Sequence, residues 1–223
     1  MIGLDQFHHI FRDKMQFFFD TSAILARILL LIAIFFGLKN YRIVQKKEKW
    51  YLFYLLFVFF IEYASLTVAK IKINEGSNAF LYPCYIAGEF FTITGIFIKK
   101  LNFSRHYFIV TGILSLFFLT ADKVLIHFQY NNDYSKAVSN IIMISIIGFS
   151  LIQDIKNVKN KNPFQNIDKI FFLYFTISIF IFILQQQLLS FPISYFSALW
   201  IINNILIIIV YSFFIYTLLK LKK

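Results

Sequence analysis

Read for hydrophobicity alone, the chain falls into seven long apolar runs separated by short polar or basic interruptions, at roughly 17–38, 50–70, 79–98, 106–128, 134–153, 169–190 and 195–219. Runs of about 18 or more apolar residues are long enough to cross a bilayer. The interruptions carry Lys, Asn, Gly and Pro, and none exceeds about twenty residues by the same reading. Each run is expected to be a helix, because backbone amides in lipid must find partners within their own segment. The runs also lack the two-residue alternation of barrel strands. The pattern predicts an all-α, polytopic seven-transmembrane-helix bundle.

Ahead of the first run, "MIGLDQFHHIFRDKMQFFF" places Leu4, Phe7, Phe11, Met15 and Phe18 at helical spacing. Residues 1–19 are therefore expected to form an amphipathic extracytoplasmic segment that feeds the first span. Residues 20–219 form the transmembrane domain and 220–223 a basic tail. The first run ends in "GLKNYR" with no small-residue cleavage site, so it is expected to remain as a span.

Composition agrees with this picture. Of 223 residues, 59% are hydrophobic and only 15% charged, too few charges to cover a water-soluble surface of this size. The net charge of +11 does not indicate nucleic acid, because the basic residues lie between apolar runs and not along one face. They cluster in 39–49 (Lys39, Arg42, Lys46, Lys47, Lys49), in 99–105, in 154–169 and in the tail, whereas the opposite side holds Arg12, Lys14, Lys70, Lys72 and Lys136. The positive-inside rule then puts the N-terminus outside and the C-terminus in the cytoplasm. The Lys-, Ile-, Asn- and Phe-rich usage looks like that of an AT-rich bacterial genome, and the expected location is a bacterial inner membrane.

Chemistry narrows less. There is no HExxH, no G-x-S-x-G, no Gly-rich phosphate loop and no metal-ligand spacing around the single Cys84. Neither a cofactor nor a metal is expected, and an enzyme is disfavoured. What remains is a set of polar residues inside apolar runs. At 1.5 Å per residue, Arg27, Glu62, Glu89, Asn203 and Asn204 fall about 9–15 Å below the outer surface, the Gln185–Gln187 run in the outer third of its span, and Asp122 within about 8 Å of the surface. Tyr82, Tyr85, Glu89 and Thr92 share one helical stripe, as do Trp200, Asn204 and Tyr211. Gly88 and Gly95 would let another helix approach that stripe.

Charged groups at such depth are costly and mark a site by default. The candidates for holding a ligand or a proton are Arg27, Glu62, Glu89, Tyr85, Asp122, Gln186 and Asn204, with Glu89 lining an interior cavity and Arg27 and Glu62 able to neutralise each other. Lys46, Lys47 and Lys49 would meet anionic lipids or a cytoplasmic protein partner.

The segments "YPCYIAGEFF", "NPFQNIDKIFFLYFTIS" and "LWIINNILIIIVYSFFIY" resemble small, largely uncharacterised bacterial seven-span membrane proteins. That resemblance implies the fold and carries no activity with it. Three functions fit: sensing a small or lipidic ligand in an outward-facing polar pocket; proton- or ion-coupled transport, or a pore in a homo-oligomer; and a membrane-perturbing effector or accessory subunit governed by a cytoplasmic partner.

Overall fold

In a computed structural model of the chain, residues 4–71, 80–125, 127, 130–156, 162–188 and 193–221 are described, and their helices account for the expected runs. These are α1 (Leu4–Lys39), α2 (Lys49–Ile71), α3 (Leu81–Lys100), α4 (Arg105–Val124), α5 (Asn132–Lys156), α6 (Gln165–Leu188) and α7 (Ile193–Lys220). Each contains a stretch long and apolar enough to cross a membrane, which is the architecture of a multi-pass membrane protein. Leu4–Lys39 is one unbroken helix, so residues 4–19 and the first span are continuous.

Local chemistry sets the helix ends. Pro83 occupies the first turn of α3, where its missing amide hydrogen has no intrahelical acceptor to lose. At the other end Asn102 takes a left-handed φ of 55°. Its amide bonds the Lys99 carbonyl while Phe103 reaches back to Ile98, the paired closure that ends many helices. Asn131 caps α5, its side-chain oxygen accepting the amides of Asp133 and Tyr134. That cap starts α5 two residues before the apolar run does.

The helices close a ring in which α1 packs along α7, while α3 packs against α2, α4 and α5. α3 is the most enclosed, with Ile86, Phe90, Ile93, Ile96 and Phe97 all buried. The α1–α7 seam is pinned at both ends, by Asn40 donating to the Leu218 carbonyl and Asn204 donating to Ser22. The outward-facing Leu, Ile and Phe of α4 stay exposed, as a lipid-facing helix requires.

The two glycines of α3 are covered by rings from α2. A Cβ on Gly88 would lie 2.1 Å from Phe57, and one on Gly95 would lie 2.5 Å from Trp50. Trp50 is itself held by the rings of Phe53, Phe91 and Phe108, so it has little room to yield. Gly95→Ala is expected to destabilise by about 1–3 kcal/mol, overpacking outweighing the gain in helix propensity. Gly112→Ala, with nothing within 4 Å of its Cβ, should be neutral or stabilising. Thermal unfolding of the two variants in detergent checks this, and equal midpoints would refute the close α2–α3 approach.

Candidate functional site

Near one end of the bundle, α1, α2, α3, α6 and α7 surround an open cavity of about 370 Å³. It lies beside the C-terminal half of α2 and the N-terminal parts of α3 and α7, on the side opposite the basic loop 40–48. Its charged wall is Arg27 and Glu62, whose Nε and Oε2 are 3.3 Å apart and whose side chains are 41% and 45% exposed. The contact uses Nε, so the terminal guanidinium nitrogens keep their donors. An ion pair this wet contributes little to stability and stays available to a solute.

The remaining wall is aromatic and amide. Tyr54, Tyr82, Tyr85, Tyr211 and Trp200 present rings, and Asn203 and Asn204 add polar groups. Trp200, Asn204 and Tyr211, placed on one stripe by their spacing, all line the cavity. Asn203 is 5% exposed, and its side-chain oxygen has no hydrogen-bond partner among the described residues. Tyr82 donates to Asp133 at 3.0 Å, tying the rim to the start of α5.

Glu89 does not line this cavity, contrary to the expectation from sequence. It is fully buried one layer behind, where Lys136 donates to its Oε2 and Tyr85 donates to its Oε1 at 2.6 Å. Lys136, expected as a loop charge on the outer side, is fully buried too. The rings of Tyr85, Phe175 and Phe182 lie 4.8, 5.8 and 5.7 Å from its ammonium, in cation–π range. Tyr85 thus has two faces: its ring belongs to the cavity and its hydroxyl to the ion pair. A polar ladder continues sideways, with Asn140 of α5 donating to Ser178 of α6.

The other candidates disperse. Asp122 sits at the C-terminal end of α4, facing Asn132 at 3.5 Å, and does not line the cavity. Gln186 lies within α6, but its side chain is outside the described residues. Lys47 donates to Asn102 at 2.6 Å, while Lys46 and Lys49 border a separate hollow near Trp50.

A second charged cluster closes the opposite end, and none of it was foreseen as chemistry. Lys100, read as a loop charge, ends α3 with Asp154 of α5 and Asp168 of α6 both 2.5 Å from its ammonium. Tyr51 of α2 donates to the fully buried Asp168. Glu48 is buried nearby; loss of hydration raises its carboxyl above the ordinary range, and the charge of Asp168 adds to that against a backbone bond from Gln45. Between cluster and cavity lie packed rings: Tyr51 stacked on Phe164, Tyr54 edge-on to Phe171, and Phe171 edge-on to Phe214. The cavity is therefore a cup, open at one end and floored by aromatics.

Spacing could have revealed one of the missed groups; the other needed the fold. Lys136, Asn140, Met143 and Ile147 recur at intervals of four, three and four, one helical face with a cation on it. Asp154 ends α5 and Asp168 opens α6 across a short connection, facing the Lys at the end of α3. No family model matches this chain, and no curated protein and no solved structure matches it.

Proposed function

We propose that this protein is a multi-pass protein of a bacterial cytoplasmic membrane that binds and senses a small amphiphile in the cup between α1, α2, α3, α6 and α7. The observation carrying this reading is the half-exposed Arg27–Glu62 pair set in an otherwise aromatic wall. A volume of about 370 Å³ falls in the usual range for small-molecule pockets. Opposite charges side by side suit a ligand that carries both signs, because each ligand charge then meets its complement without leaving a buried charge unpaired. Rings of Tyr and Trp would take the apolar part and can hold a cation.

Orientation is part of the same proposal: N-terminus outside, C-terminus in the cytoplasm, cup opening outward. With Lys136 withdrawn into the core, the sparse side loses one of its five basic residues, which strengthens the charge asymmetry.

The test uses phenylalanine, phenylpropionate and phenethylamine as zwitterionic, anionic and cationic probes of one shape. The zwitterion is expected to raise the thermal midpoint of the purified protein by several degrees at saturating concentration, the singly charged probes less. Arg27→Ala and Glu62→Gln should each abolish the difference. The reading falls if no probe shifts the midpoint, or if both variants respond as the unmodified protein does.

A second reading, transport, is favoured by a specific observation: the Glu89–Lys136 pair touches the cup through Tyr85, while the far end is shut by a separate ion cluster. Flux of the same probes into liposomes, altered by Glu89→Gln, would select transport; binding without flux selects sensing.

A further inference from the structure

The loop joining α1 to α2 carries a second recess, unconnected with the cup. It measures about 340 Å³ and is bordered by Tyr41, Lys46, Lys49, Trp50, Phe53 and Leu56. Its frame is built and not floppy: the Asn40 carbonyl accepts the amides of Ile43 and Val44, the Asn40 side chain is tied to α7, and Val44 and Glu48 are buried beneath. The Lys49 ammonium stands 3.9 Å from the centre of the Tyr41 ring, which holds one charge at the rim. Lys47 is engaged by Asn102, whereas no ion pair or hydrogen bond engages the ammonium of Lys46 or Lys49 among the described residues.

The recess changes character along its length. Two lysines mark one end, and Phe53, 52% exposed, and Leu56 continue from it along the outer surface of α2. Lys49 is the first residue of the apolar stretch Lys49–Val68, so the polar end lies at headgroup level and the apolar end at acyl level. A Trp and a Tyr at such a boundary suit a membrane–water interface. Charge complementarity then selects the occupant.

We propose that this recess is a binding site for one anionic phospholipid, the phosphate held between Lys46 and Lys49 and an acyl chain laid on Phe53 and Leu56. Basic pockets at the ends of membrane spans hold anionic headgroups through these same forces. The site is independent of the cup, so either can fail without the other.

The experiment titrates the full-length protein in neutral detergent with dioctanoyl-phosphatidylglycerol, dioctanoyl-phosphatidylcholine and glycerol phosphate. The phosphatidylglycerol is expected to bind most tightly. Lys46→Gln/Lys49→Gln should weaken it by about 25-fold, roughly five-fold for each lysine. Lys46→Arg/Lys49→Arg should keep the affinity within about three-fold, since charge is retained at both positions, which guards against mere loss of fold. Phe53→Ala should weaken the lipid and leave glycerol phosphate unchanged. Glycerol phosphate binding as tightly as the lipid would overturn the proposal in favour of a soluble anion. Equal weakening by Lys39→Gln/Arg42→Gln would overturn it in favour of the diffuse field of the loop.

Discussion

Glu89→Gln and Lys136→Met are each expected to destabilise the protein by about 3–5 kcal/mol, while the double variant recovers most of that loss. The two residues have no exposed surface and face each other across α3 and α5. Removing one leaves the other charged and without its counter-ion in an apolar interior, and that uncompensated charge is the source of the penalty. Removing both deletes the charges and leaves a Met beside a neutral Gln whose carbonyl can still accept from Tyr85. Tyr85 donates a hydrogen bond to Glu89 but brings no positive charge, so it cannot replace Lys136. The rings around the ammonium soften the loss for Glu89→Gln only slightly, at about 0.5–2 kcal/mol. Unfolding midpoints of the two singles and the double form a mutant cycle. Additive losses would show that the pair is not coupled and would undo the arrangement of α3 and α5 described above.

Lys100→Met is expected to have the second-largest effect, about 2–3 kcal/mol, and to loosen one end of the bundle selectively. Two carboxylates, Asp154 and Asp168, share this single ammonium, and Asp168 is fully buried. Without Lys100 they repel, and Tyr51 alone keeps a bond to Asp168. The value lies at or below the lower end for buried pairs because Asp154 retains 21% of its side-chain surface in solvent, where water screens it. Amide exchange should rise at the C-terminal turn of α3 and the first turns of α6, with the cup end unchanged. Adding Asp168→Asn to Lys100→Met should restore part of the protection by removing one of the two like charges. Uniform exchange across the bundle, or no change at all, would contradict a localised latch.

The different fates of the intramembrane residues show how far pattern can carry. Arg27 and Glu62 were marked by depth, Tyr85 by its helical stripe and Asn204 by both, and all four border the same cavity. Depth worked for them because the cup is wide and takes whatever polar groups lie at its level. It failed for Glu89, which lies at that level but behind Tyr85, and for Asp122 of α4, a helix that packs mainly on α3 and α5. Depth is one coordinate; azimuth and neighbour identity are the others, and a single chain does not disclose them. Lys136 was missed for a different reason. The apolar run at 134–153 and α5 both contain it. A lysine two residues into a run nevertheless reads as a charge at the membrane surface, and only its packing against Glu89 shows that it is buried.

Seven apolar helices, their approximate limits, the concentration of positive charge in alternate connections and the small residues that admit Phe57 and Trp50 are all present in the linear pattern. They are legible because each depends on neighbours in sequence: hydrophobic length, capping, and the i to i+4 geometry of a helix. The partnerships Glu89–Lys136 and Lys100–Asp154–Asp168, and the enclosure of a cup over a floor of rings, came only with the folded chain. Those depend on which helices adjoin and how each is rotated. That arrangement is set by packing summed over the whole bundle, and no local stretch encodes it.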